Sequence, residues 1–424
     1  MRYVFPSRWK PFKLDQLGFV GRGRSRHRPR NEPSLYGGAY PFFQTGDIKE
    51  ANLYLSKYSQ TYNEKGLAQS KQWEPGTLCI TIAANIAETA ILSIQGCFPD
   101  SIIGFVADCS KADIRFIKYY VDLIKLDMQQ VSHGTTQDNL SLDKLLRFDF
   151  IVPKVEEQRK IAAILSAYDD LIENNLRRIK ILEEMAQNLY REWFVKFRFP
   201  GHEKARFIDS PLGRIPEGWL GLFPDFVDFK EGPGLRKWQY RPEGLPFLNI
   251  RTLVDNDIDL SKTQYLDPKE VETKYSHFLL QEYDHVVSSS GTLGRIVTIR
   301  KQHLPLMLNT SIIRMRPSTV RVGRWQLKHF LNSDYFQHQI LSFAIGAAQP
   351  NFGPSHLQQM FVVSPSDEIG ILYEERLTPL EEMIGNLVSK NTTLRRTRDL
   401  LLPKLISGEV DVSELDITIP EEAA

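Results

Sequence analysis

The stretch GTTQDNLSLDKLLRFDFIVP, Gly134–Pro153, lies over GAAQPNFGPSHLQQMFVVSP, Gly346–Pro365, at a constant offset of 212 residues, half of the 424-residue chain. Identities fall at Gly134 and Gly346, Gln137 and Gln349, Asn139 and Asn351, Leu145 and Leu357, and Pro153 and Pro365. Upstream, YPFFQTGDIKE from Tyr40 lies over LPFLNIRTLVD from Leu245, and WEPGTLCI from Trp73 over QEYDHVVS from Gln281. These offsets are 205 and 208, so short insertions account for the drift. Self-similarity of this kind reads as two copies of one structural unit.

Each copy has the same internal order. First come short runs rich in β-branched and aromatic residues, broken by Gly, Pro and Asn, as in TLCITIAANIAETAILSI and HVVSSSGTLGRIVTIR; these predict strands and hairpins. A short helix is expected near FIKYYVDLI and near QLKHFLNSDYF. A long helix then follows. After Pro153 a heptad seam runs through Ile161, Leu165, Tyr168, Ile172, Asn175, Ile179, Leu182, Ala186, Leu189 and Trp193. The second copy gives Leu380, Ile384, Leu387, Asn391, Leu394, Arg398, Leu401 and Leu405. Thr378, Pro379 and Glu381 read as an N-cap, a first-turn proline and a capping-box acid, so a helix start is expected there, after a shorter helical piece from about Ser366 to Arg376.

The fold class read from this is α+β: two repeated globular domains of mixed strands and short helices, separated by two long antiparallel coiled-coil helices related by a pseudo-twofold axis. The expected boundaries are residues 1–153 for the first domain, 154–198 for a central helix, 199–214 for a linker, 215–365 for the second domain, 366–408 for a distal helical region and 409–424 for a frayed acidic tail. About 40 residues at 1.5 Å each make a rod of roughly 60 Å. Asn175 and Asn391 each interrupt a seam, where they either set the register of the pair or lie on its wet edge.

Composition narrows the function. The chain is 42% apolar and 25% charged, ordinary for a globular protein, with no apolar run of membrane-spanning length and no secretory signal, so a soluble cytoplasmic protein is expected. Cys79, Cys97 and Cys109 lack metal or disulfide spacing and are expected to be small buried residues. Neither a phosphate-binding loop nor a HExxH or GxSxG signature occurs, so no catalytic or metal-ligating residue is assigned. Asp225, Asp228 and Lys230 in PDFVDFK spell a nuclease motif, but the carboxylates stand too close in sequence to come from two adjacent strands.

Charge is uneven. Residues 1–30 carry nine Lys or Arg against one acid. In GRGRSRHRPR the arginines Arg22, Arg24, Arg26, Arg28 and Arg30 occupy every second position, a ladder suited to phosphates or guanine edges in an extended strand. The counterpart in the second copy, KEGPGLRKWQYRPEG, places Lys230, Arg236, Lys237 and Arg241 around Trp238 and Tyr240. Gln44 in the first domain and Asn249, Arg251 and Arg295 in the second complete the candidate DNA-contact set, chosen for charge, amide forks and repeat position. The repeated GxxQxN segments either present amides to DNA or shape a loop, and the loop reading better explains their recurrence.

The order and duplication of YPFFQTGDIK, LPFLNIR, the GxxQxN segments, VEEQRKIAAILSAYDDLIENNLRRIKILEEMAQNLYREWF and LRRTRDLLLPKLISGEV resemble specificity subunits of type I restriction-modification systems, over nearly the whole chain. The resemblance implies two target recognition domains that each read half of a bipartite double-stranded DNA site, with the helices as a ruler. It implies no cofactor in this chain: S-adenosylmethionine, ATP and Mg²⁺ belong to partner methylation subunits, two of them, and to restriction subunits. It makes the chain a non-catalytic recognition subunit. Leu189, Tyr190, Trp193 and Phe194 are candidates for docking the methylation subunits. An autonomous DNA-cleaving enzyme and a scaffold that reads no sequence are the alternatives.

Overall fold

The computed structural model describes residues 3–132, 140–254, 257–343 and 351–419. It divides into two compact units, residues 1–174 with 391–424 and residues 175–390. Both divisions of the chain fall at the seam asparagines, Asn175 and Asn391.

The first unit holds a five-stranded sheet in the order Gly18–Arg22, Ile102–Ala107, Leu78–Thr81, Thr89–Leu92, Tyr54–Leu55. The first three pairings are antiparallel and the last is parallel. The second unit repeats the first four positions as Val227–Glu231, Ile312–Pro317, His285–Ser288 and Ile296–Thr298, all antiparallel. The predicted hairpins thus supply two adjacent strands of each sheet, interior in the first unit and reaching the edge at Ile296–Thr298 in the second. Their strands are buried on both faces, which is why they read as continuous apolar runs. The decisive repeated stretch ends in matched strands as well: Phe150–Val152 pairs with Lys10–Phe12, and Phe361–Val363 with Leu220–Leu222. The short helices are Ile114–Leu123 and Arg324–Leu331.

The long helices run Val155–Tyr190 and Asp367–Ile406. Within the first unit, Ile161 and Leu165 share a core with Leu405 and Ile406, and Asn391 Nδ2 donates to the Ile172 carbonyl at 3.5 Å, so the two segments run antiparallel. Within the second, Ile179 packs with Ile384 and Leu387 while the Trp193 ring meets the Tyr373 ring at a tilt, again antiparallel. Asn175 and Asn391 are both buried.

Five expectations change. No helix begins at Thr378. The second helix is continuous through Pro379, whose missing N–H leaves the Glu375 carbonyl without its intrahelical donor. Thr378 donates to the Glu374 carbonyl and accepts from Trp325 Nε1, and Glu381 serves an ion pair rather than a capping box. Tyr190, Trp193 and Phe194 are at most 4% exposed and belong to the second unit's core, with Leu189 packed against it, so they present no docking face. The acidic tail is anchored: Val412 is buried, Asp411 pairs with Arg8 at 2.7 Å, and Lys160 donates to the Ser413 carbonyl at 2.7 Å. Cys109 is exposed, whereas Cys79 and Cys97 are buried. In the stretch read as a linker, Phe207–Ser210 and Gly213–Pro216 form a hairpin.

Candidate nucleic-acid interface

The arginine ladder begins on an edge strand. Arg22 ends the strand Gly18–Arg22, and the backbone continues extended because Gly23 N–H donates to the Ile102 carbonyl and Arg24 N–H to the Phe98 carbonyl, both at 2.9 Å. Gly23 is required here: a Cβ would lie 2.3 Å from the Pro99 carbonyl oxygen. Ser25 is buried and bridges Ser70, and Gln69 Oε1 accepts the N–H groups of Arg26 and His27. Residues 23 and 25 therefore point inward, while Arg22, Arg24 and Arg26 are exposed. The alternation stops there. Arg30 folds onto Asp100 at 2.6 Å, Arg28 lies 3.7 Å from the same carboxylate, and Arg22 Nε donates to the Asp100 carbonyl. All five arginines stay exposed, but Arg22, Arg28 and Arg30 converge on Asp100, so the five do not form one uniform ladder.

One cation escaped sequence reading. Lys71 lies over the Trp73 ring at 3.6 Å, and its pKa is lowered by burial and then by the positive charge of Arg24. The bridge from Ser25 to Ser70 brings these two cations together across 47 residues, so no local pattern could have announced it. Positive charges held near one another favour an anionic partner.

A second cluster recurs in both units. Gln44 and Asn249, matched at offset 205, each stand at the N-terminus of a short helical turn, Thr45–Glu50 and Ile250–Thr252. Gln44 Nε2 donates to Gln60 at 2.7 Å, and Asn249 Oδ1 accepts the Arg251 N–H at 2.9 Å, so both amides serve local structure. Beside each turn lies a hairpin loop, residues 82–87 or 289–294. Lys49 Nζ reaches Asn85 Oδ1 at 3.4 Å, and a Cβ at Gly291 would lie 3.3 Å from Ile250.

The two loops are built alike. Thr81 and Ser288 place one hydroxyl at the hub, donating to the carbonyl of Asn85 or Thr292 and accepting the N–H of Glu88 or Arg295. Left-handed backbone occurs at Ala84 and Ala87 in the first loop and at Gly291 and Gly294 in the second, all at offset 207. Alanine in that conformation is strained, which glycine avoids. The glycine pair in SGTLG was the sequence signal for this device; its alanine version carried none.

The remaining candidates distribute as follows. Arg295 is exposed, with Nη1 donating to the Leu253 carbonyl at 2.9 Å, and Arg251 is exposed on the adjoining turn. Asn351 bridges Ser290 of the second loop, whereas Gln137, Asn139 and Gln349 lie outside the described residues. Lys230 is half-buried with its ammonium over the Phe278 ring, and Asp228 on the same strand pairs with Arg314. Arg236, Lys237 and Arg241 are exposed around Trp238. Among the described residues no group of carboxylates, histidines and cysteines could hold a metal ion, and no helix is long and apolar enough to cross a membrane.

Residues 6–184 match the type I restriction modification DNA specificity domain. Over nearly its whole length the chain is similar to specificity subunits of type I restriction-modification systems. Beyond the matched domain, the likeness extends over the whole chain. It is 24% identical over 428 residues to the type I restriction enzyme MjaIX specificity subunit of Methanocaldococcus jannaschii, covering 97% of this chain and 95% of that one. It is 21% identical to the MjaVIII specificity subunit of the same organism, covering 89% and 88%. In fold it is similar to the crystal structure of a type I restriction-modification S subunit from M. genitalium, with a TM-score of 0.57, 16% identity and coverage of 94% and 96%.

Proposed function

We propose that this chain is the DNA sequence-specificity subunit of a type I complex, and that each unit reads one half of an asymmetric, bipartite duplex site. The observation that carries this reading is the duplicated cluster. One scaffold, built on Thr81 or Ser288, appears in both units, while the side chains it presents differ: Glu88 against Arg295, and Gln44 against Asn249. A common frame with divergent contacts suits two different half-sites, so a palindromic target is not expected. Phosphates are met by Arg22, Arg24, Arg26 and Lys71 in the first unit, and by Arg236, Lys237 and Arg241 in the second.

The helices set a fixed unread gap between the halves and dock methylation subunits, two in number. Those partners bring S-adenosylmethionine and flip the target base, and restriction subunits bring ATP and Mg²⁺. The chain itself chooses the site and performs no catalytic step, and it works on DNA in the cytoplasm.

Mapping methylated sites in a host lacking other methyltransferases tests this, with the cognate methylation subunit expressed with and without the chain. Modified bases confined to one motif of two short blocks around a fixed gap, lost when the chain is omitted, is the expected result. A motif that persists without the chain would overturn it. At residue level, Arg24→Ala should weaken duplex binding for all sequences and lower the salt slope by about 1 if it meets a phosphate, or cost about 1–3 kcal/mol at one base pair if it reads a base.

A further inference from the structure

Of the six tryptophans, Trp9, Trp73, Trp193, Trp219 and Trp325 are at most 6% exposed, and Trp238 is 73% exposed. The loop that carries it is firmly built without help from the indole. Gln239 is buried beneath it: its Oε1 accepts the Arg236 N–H at 2.9 Å, and its Nε2 donates to Glu270 at 3.0 Å and to the Tyr275 hydroxyl at 3.2 Å. Arg241 Nη1 donates to the carbonyls of Trp238 and Tyr240, both at 3.1 Å, and Tyr240 packs against Phe247. The turn Lys237–Gln239 is thereby fixed with its largest apolar side chain facing water. Exposed cations, Arg236, Lys237 and Arg241, surround it.

A rigidly presented indole flanked by three cations matches the chemistry of duplex DNA. Phosphates on either side of a groove pair with the cations, and a flat apolar ring enters between them against sugar edges or a partly unstacked base step. We infer that Trp238 is a wedge by which the second unit engages its half-site, giving that half sensitivity to the ease with which one base step opens. In the first unit the corresponding basic stretch Gly21–Arg30 contains no Phe, Tyr or Trp. This inference rests on the DNA-specificity reading above.

The test uses the full chain assembled with its methylation subunits and a duplex carrying the mapped site. In the DNA-free complex the difference in acrylamide quenching between the native protein and Trp238→Phe should show an accessible indole, and the duplex should protect it. Trp238→Ala should raise Kd about tenfold or more while leaving the slope of log K against log salt unchanged, because the indole carries no charge. Arg236→Ala should instead lower that slope by about 1. An indole already shielded in the DNA-free complex would assign this loop to a protein partner and overturn the inference, as would unchanged affinity in Trp238→Ala. If the native complex fails to bind the duplex at all, the specificity reading falls with it; chain-dependent methylation with an indifferent Trp238 sinks the wedge alone.

Discussion

Asp169 on the first long helix and Glu381 on the second are equivalent at offset 212, and both are buried acids, yet their partners differ. Asp169 accepts from the Tyr119 hydroxyl at 2.5 Å and pairs with Arg398, so in the first unit the cation comes from the other long helix. Glu381 lies 2.6 Å from Lys328 and 3.1 Å from His329, both on the short helix Arg324–Leu331. Tyr119 and His329 are matched at offset 210, as are Lys118 and Lys328, but Lys118 turns to Asp122 on its own helix. The capping of the short helix diverges in the same direction. In the first unit Asp113 caps its own helix by accepting the N–H groups of Arg115 and Phe116. In the second, Gly323 stands at the cap and Glu374 from the long helix accepts the N–H groups of Trp325 and Gln326. A Cβ at Gly323 would lie 2.3 Å from the Glu374 carboxyl. At the first place both units take the acid from a long helix and differ in where its partner comes from; at the cap the acid itself comes from the short helix's own N-cap residue in the first unit and from the long helix in the second.

The largest expected effect is Glu381→Ala. It strands two buried donors, and the second unit should lose about 3–5 kcal/mol. Hydrogen exchange should show Arg324–Leu331 opening first, and equal loosening of Ile114–Leu123 would break the comparison. Asp169→Ala should cost the first unit less, about 2–3 kcal/mol in urea unfolding, because Arg398 is 23% exposed and keeps Asp399 at 2.8 Å.

Smaller still is the cap. Glu374→Ala should cost about 1–2 kcal/mol, and adding Gly323→Asp should recover most of it, since residue 323 has the extended backbone of an ordinary N-cap at φ −74° and ψ 179°. Failure of the double variant to recover would mean that Glu374 acts by more than capping.

The last effect is a pH slope. Burial pushes the Glu374 carboxyl from 4.5 up to about 7, against the opposing pull of the Gln326 and Trp325 N–H groups. The proton is therefore bound more tightly in the folded state. That contribution is complete below pH 4.5 and fades as pH rises through 7, by no more than about 1.4 kcal/mol per unit. Glu381 opposes it. Burial would raise that carboxyl, but the charge of Lys328 and the bond to His329 hold it down to about 2, so its contribution fades as pH falls from 4.5 through 2. Glu374→Gln should flatten the decline above pH 4.5 in thermal unfolding and leave the acid limb intact.

The repeat, the order of strands and helices within it, and most of the seam were legible, because a buried stripe must recur at helical spacing wherever its partner lies. Of the candidate interface, Arg22, Arg24 and Arg26 were legible from alternation alone. Arg28 and Arg30 were not, since Asp100, which turns them back, is 70 residues distant from Arg30. The false helix start at Thr378 shows the converse error: Thr, Pro and Glu carry a true local preference, and tertiary partners at Trp325 and Lys328 overrode it.

Periodicity, duplication and charge, all properties of the chain read along its length, thus determined the doubled architecture and the basic edge. Which acid meets which base, which arginines converge on Asp100, and that Lys71 joins Arg24 while Trp238 stands in water were decided by the tertiary structure. Those pairings join residues tens to hundreds of positions apart, and the energies that select them arise only once burial has removed the water that would otherwise satisfy each group alone.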